Sequence, residues 1–277
     1  MNVYTERKQG SALADFVAEH AQVLSIALFF LLCMAIFGAS SQTFLTTGNL
    51  LNILRQAAPI LIVAVAMTLV ITTAGIDLSV GSQVALVNAV CAIAIASGLP
   101  WPVVVVAMLL LGGTVGAVQG WFIAYQGIPA FIVTLAGLSI LRGIALYLTE
   151  GYSIPITGVP GFLWLGRGTI GSVPVPAILA LLIAARLGSG SSNAAQGFEL
   201  QVIAAVVLGG TSLMGGKASM LGTVLGTMTI AVIGNGLILL HISPFFTQIV
   251  TGAIILIAIW LNTRLFDRGF RFGRGRG

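Results

Sequence analysis

Eight runs of this sequence are apolar for long enough to cross, or nearly cross, a lipid bilayer: 23–39, 57–74, 80–97, 102–125, 129–148, 200–214, 219–240 and 245–262. A helix spans a hydrocarbon core of about 30 Å with about 20 mostly apolar residues. Backbone polar groups in hydrocarbon must pair within their own segment, so such runs become helices that pack on one another. The expected fold is all-α, a polytopic transmembrane helical bundle of about eight spans forming a single membrane-embedded domain over 1–277. Composition points the same way. Only 7% of residues are charged, against about a quarter in soluble domains, too few to cover a globular surface with polar groups. The 35 glycines suit membrane helices, whose backbones approach closely at small residues. Cys33 and Cys91 each sit inside an apolar run. They have no metal spacing and no disulfide framework, and read as small packing residues.

Charge sets the orientation. Arg264, Arg268, Arg271, Arg274 and Arg276 crowd a basic tail over 263–277 and are opposed there only by Asp267. A basic tail beside a last apolar helix is cytoplasmic by the positive-inside rule. An even number of spans then makes the N-terminal segment 1–22 cytoplasmic too. Glu6, Asp15 and Glu19 make that segment a poor signal peptide, so the first span is expected to be retained. The arginine-glycine end resembles an RNA-binding segment, but a juxtamembrane anchor explains it without a nucleic-acid partner. The longest connection, 149–175, is placed outside by parity, where it could cap the helices. Pro59 and Pro129 are expected in first helical turns, and "GLPWP" and "HISPF" at turns. One segment does not fit: "VPAILALLIAARLGSGSSNAAQG" starts as an apolar helix near Pro176 and meets Arg186 after about ten residues, too few to span.

Two glycine-bracketed stretches stand out. "TTAGIDLSVGS" (72–82) carries Asp77, the only carboxylate among the apolar runs before Glu150. A charge at membrane depth is costly and often functional. It can equally serve locally, with Asp77 or Ser79 accepting backbone N–H bonds at the start of the 80–97 helix. The second stretch, "LGGTSLMGGKAS" (208–219), ends in Gly-Lys like a phosphate-binding loop, but the pattern fails. Its first glycine is out of register, and Ala218 stands where a magnesium-binding hydroxyl is needed. It reads instead as a break between two membrane helices, parallel to the first, and paired breaks in two halves point to a central pathway. Asn88, Gln119 and Asn235 place amides inside apolar helices, where they can bond across helices or meet a polar solute. No nucleophile–base pair, metal cluster or paired carboxylates occur, so an enzyme is not expected.

"NLLNILRQAAPILIVAVAMTLVITTAGIDLSVGS", "YQGIPAFIVTLAGLSILRGIALYLTEG" and "QGFELQVIAAVVLGGTSLMGGKASMLGTVLGTMTIAVIGNGLILLHISPF" resemble the permease subunit of ribose-type ABC sugar importers, within the branched-chain amino acid/ribose permease superfamily. The likeness runs from about Asn49 to Asn262. It implies an inner-membrane permease of a monosaccharide importer that pairs with a second permease copy and takes sugar from a periplasmic sugar-binding protein. It is driven by a separate cytoplasmic ATPase subunit, so ATP is used by that partner and this chain binds no cofactor. Residues expected near the translocation path or its gates are Asp77, Ser79, Ser82, Asn88 and Asn235. Gly215, Gly216 and Lys217 are expected to face the ATPase, and 149–175 becomes the periplasmic loop. The sequence departs from the family near Ala184–Ala185. There the family continues through two more spans and a coupling loop that docks on the ATPase, on the order of 50 residues at about 20 per span. Their loss keeps the parity, takes ten spans to eight, and implies an internally deleted, poorly coupled permease. The alternatives are a secondary transporter using Asp77 and a non-transporting remnant that pairs with an intact permease.

Overall fold

The computed structural model describes residues 12–167 and 195–243, the pairs 169–170, 173–174 and 189–190, and single positions between 246 and 257. Segments 1–11 and 263–277, the stub at 176–186 with the Ala184–Ala185 junction, and most of run 245–262 lie outside the described residues.

Among the described residues the fold is carried by the helices α1 (Ala12–Ser40), α2 (Thr47–Thr72), α3 (Val80–Ala96), α4 (Trp101–Ala124), α5 (Ala130–Thr149), α6 (Pro160–Arg167), α7 (Phe198–Leu208) and α8 (Met220–Leu239). Five of them, α1, α2, α4, α5 and α8, are long and apolar enough to cross a membrane. The strands are two-residue pairings: β1 (Ile154–Pro155) with β4 (Ser189–Gly190), and β2 (Thr169–Ile170) with β3 (Val173–Pro174). The molecule is a polytopic helical bundle.

Helix α8 is its axis. Two thirds of its span is buried (67%), against 11% for α4, because it packs against α1, α2 and α7 while α4 and α5 turn most of their surface outward. Helices α2 and α8 run antiparallel. At one end Asn49 Nδ2 donates to Asn235 Oδ1 at 2.8 Å, and at the other the Thr68 and Thr223 hydroxyls meet at 2.9 Å. Between α1, α2 and α8, Phe37, Phe44, Ile53, Ala57, Val232 and Ile233 form one core cluster. The Phe37 ring lies where a side chain on Gly236 would stand. Helix α7 crosses α8 backbone to backbone. A Cβ on Gly226 would strike the Ala205 carbonyl, and one on Gly209 would strike the backbone of Gly222 and Thr223. That is the small-residue crossing expected where no hydrophobic force drives helices together. Residues 154–163 of the connection fold onto the ends of α3 and α4, with Ile156 and Phe162 buried against Cys91, Ala92, Ile95 and Val104.

Three boundaries differ from the expected ones. Helix α2 begins at Thr47, ten residues before the apolar run, because Thr46 accepts the Asn49 N–H as N-cap and Asn49 and Ile53 already face the core. Pro59 therefore lies inside α2 rather than in a first turn. A single missing donor within a long membrane helix is tolerated. The 200–214 run yields only the 11 residues of α7, about 16 Å at 1.5 Å per residue, because the chain turns at Gly209 and at Gly210, which takes φ +90. Helix α3 is also short, at 17 residues, and starts only after the non-helical stretch 75–79.

Candidate functional site

The two glycine-bracketed breaks meet. After α2 the chain turns through Thr73 and Ala74, the latter at φ +59, and passes through the irregular stretch 75–79 into α3. After α7 it passes through 209–219, with Gly215 and Gly216 at φ +80 and +77. The Gly216 N–H donates to the Thr72 carbonyl at 3.0 Å. A Cβ on Gly215 would approach Ala74 N and Thr72 O to 3.0 Å. Left-handed geometry and this close approach both require glycine. Ser219 caps α8 by accepting the Gly222 N–H. Of the expected partner-facing residues, Gly215 and Gly216 form this contact, and Lys217 stands exposed beside it.

Asp77 is half-buried in the first break. Its Oδ1 accepts the Ser79 N–H at 2.8 Å and the Ser79 hydroxyl at 2.6 Å. The carboxylate thus fixes the residue that precedes α3, while Ser79 makes no side-chain cap bond of its own. The fully buried Ser79 hydroxyl also lies 3.1 Å from both amide atoms of Gln119 on α4. The Thr134 hydroxyl of α5 donates to the Ile76 carbonyl at 3.0 Å. Gly137 makes room for this cluster, since its Cβ would lie 2.5 Å from Gln119 Nε2 and 3.2 Å from Ser79 Cβ. Ser82 donates to the Ser79 carbonyl at 2.9 Å. Asp77, Ser79 and Ser82 therefore share one hydrogen-bonded cluster with Gln119 and Thr134, which tie α3 to α4 and α5.

The other two expected residues lie apart from that cluster. Asn235 pairs with Asn49, whose Nδ2 also donates to the Phe44 carbonyl at 2.8 Å. Asn88, only 2% exposed, has no hydrogen-bond partner for either amide atom among the described residues. A carboxylate passed over in the sequence stands nearby in the fold: Glu199, in the first turn of α7. Its Oε2 is buried without a partner among the described residues and lies against Gly81 of α3. The signal for it was a lone acidic residue opening an apolar run, which reads by itself as favourable helix-dipole placement. Among the described residues no group of three potential metal ligands occurs.

Residues 49–163 match the family described as branched-chain amino acid transport system / permease component. The chain is 34% identical to the probable ABC transporter permease protein YphD of Escherichia coli, over 95% of this chain and 96% of that one. It is 34% identical to the ribose import permease protein RbsC of the same organism, over 84% of this chain and 91% of that one. To the xylose transport system permease protein XylH of Haemophilus influenzae it is 29% identical, over 87% and 96%. No solved structure matches. The alignment with YphD spans 319 positions; since 95% of 277 residues is about 263, about 56 positions are occupied by the relative alone. The chain thus belongs to the branched-chain amino acid transport system / permease component family, as a multi-pass protein of the inner membrane.

Proposed function

We propose that the chain is the membrane-spanning permease subunit of an ABC importer for a monosaccharide of the ribose class. The observation that carries this is 34% identity over 95% of the chain to a probable ABC transporter permease, joined by relatives named for ribose and xylose. On this reading two copies enclose a path, a periplasmic binding protein delivers the sugar to the 149–175 side, and a separate ATPase uses ATP beneath the joined breaks. Both termini are cytoplasmic. Gly215, Gly216 and Lys217 face the ATPase. Asp77, Ser79 and Ser82 act at a gate, since their cluster ties the start of α3 to α4 and α5. Asn88 and Asn235 lie along the path.

The family's coupling segment is the part we take to be missing at Ala184–Ala185. The about 56 positions held only by the relative support a loss of that size, and the family match ends at 163, ahead of the junction. The chain is then a poorly coupled permease, or a remnant that pairs with an intact one. Proteoliposomes holding the chain with a ribose-type ATPase and binding protein test this. We expect ATP-dependent ribose or xylose uptake at least about tenfold below that of a chain with the segment restored, a barrier difference of about 1.4 kcal/mol. Uptake driven by a pH gradient without the ATPase would overturn the importer reading.

A further inference from the structure

Along one face of α3 stand buried polar atoms that have no partner among the described residues. Glu199 Oε2 rests on Gly81, where a side chain would otherwise stand, and it lacks a partner among the described residues. Asn88 lies seven residues further along α3. Seven residues fall about 20° short of two full turns, so Gly81 and Asn88 share a face and stand about 10 Å apart along the axis. Val84 lies between them on that face and packs with the α2–α7 cluster of Ala64, Phe198 and Val202. An unpaired buried amide or carboxylate costs about 1–3 kcal/mol or more per group. Three such atoms along this face are therefore left with hydrogen-bonding capacity that the described residues do not fill.

We propose that Glu199 and Asn88 are two stations of a polar lane along α3 for a neutral, polyhydroxylated solute, with Glu199 a path residue not evident in the sequence. This rests on the sugar-permease reading and names the residues that meet the solute. The chemistry selects the occupant. A carboxylate oxygen accepts from solute hydroxyls, and an amide both donates and accepts. Hydroxyls satisfy all three orphan atoms, whereas an anion would be repelled by Glu199 and a metal ion finds no third ligand among the described residues. The spacing of about 10 Å is too long for one pentose to bridge, so the two groups act in succession.

The test is thiol accessibility in membranes, in a Cys33→Ala, Cys91→Ala background. A water-soluble methanethiosulfonate is applied to Val84→Cys, Asn88→Cys and Glu199→Cys, with Ala89→Cys as reference. Ala89 is 0% exposed and packs with Leu141 and Ala145 towards α5. Labelling at the three lane positions is expected at least about tenfold faster than at Ala89→Cys, and slowed by millimolar ribose or xylose but not by betaine or sodium chloride. Val84→Cys reads the lane even if the variants of the polar residues fail to fold. Labelling at the Ala89→Cys rate throughout would overturn the lane. Fast labelling that neither sugar slows, or that sodium slows instead, would overturn the solute. The measurement uses no ATPase, so it fails or succeeds independently of coupling.

Discussion

Asn235 shows how one residue type takes different roles in the same kind of helix. Asn88, Gln119 and Asn235 each sit in an apolar run, and the sequence alone assigns them one physics. In the fold Asn235 bonds Asn49, Gln119 bonds Ser79, and Asn88 bonds nothing among the described residues. Which of these occurs depends on what faces the residue across the helix, and one sequence does not contain that information. A double-mutant cycle of Asn49→Ala and Asn235→Ala should return a coupling of about 0.6 kcal/mol, at most about 1.7, read from unfolding in detergent. Glycines separate by what they touch. Gly226→Ala drives a Cβ into the Ala205 backbone carbonyl, which cannot rotate away, so a loss of about 3 kcal/mol is expected, the upper end of overpacking costs. Gly81→Ala meets the end of the Glu199 side chain and, at 2.9 Å, the Ala195 backbone carbonyl, so about 2 kcal/mol is expected. Adding Glu199→Ala to Gly81→Ala should return only part of that loss, because the Ala195 carbonyl stays in place, as melting temperatures of the single and double variants would show.

At the scale of elements, what was legible was apolarity and punctuation. The runs at 23–39, 102–125, 129–148 and 219–240 each became a long helix, because a membrane span advertises itself through length and composition. Both glycine breaks were legible. Their contact through Gly216 and Thr72 was not, since it joins residues far apart in the chain. The start of α2 was missed because Asn49, Asn52, Arg55 and Gln56 interrupt the apolar residues of its first turns, although Asn49 and Ile53 are buried. Run 200–214 looked continuous, but left-handed Gly210 ends α7 early. The joined breaks should be sensitive to side chains. Gly215→Ala must adopt φ +80 and crowd Ala74 and Thr72, at a cost of about 1–2 kcal/mol for the backbone alone. Hydrogen exchange at the Gly216 amide should accelerate in that variant; unchanged protection would mean the two breaks are held together by something else.

At the scale of the whole molecule, lineage is visible, and the proposed loss can be tested. The chain keeps the family's identity along most of its length, yet its alignment leaves about 56 positions to the relative alone. The proposed orientation has its own check. Tyr152 in the 149–175 connection is 74% exposed and Met214 in the second break 89%. An impermeant maleimide added to spheroplasts should label Tyr152→Cys, and should reach Met214→Cys only after lysis. The reverse pattern would invert the bundle. The most direct measurement is capture of a ribose-type ATPase subunit in detergent by this chain, beside a version with the relative's missing segment restored at Ala184–Ala185. The account predicts clear capture by the restored chain and at least about tenfold weaker capture by this one, a difference of about 1.4 kcal/mol. Equal capture by both would contradict the loss of coupling, and capture by neither would contradict the importer itself.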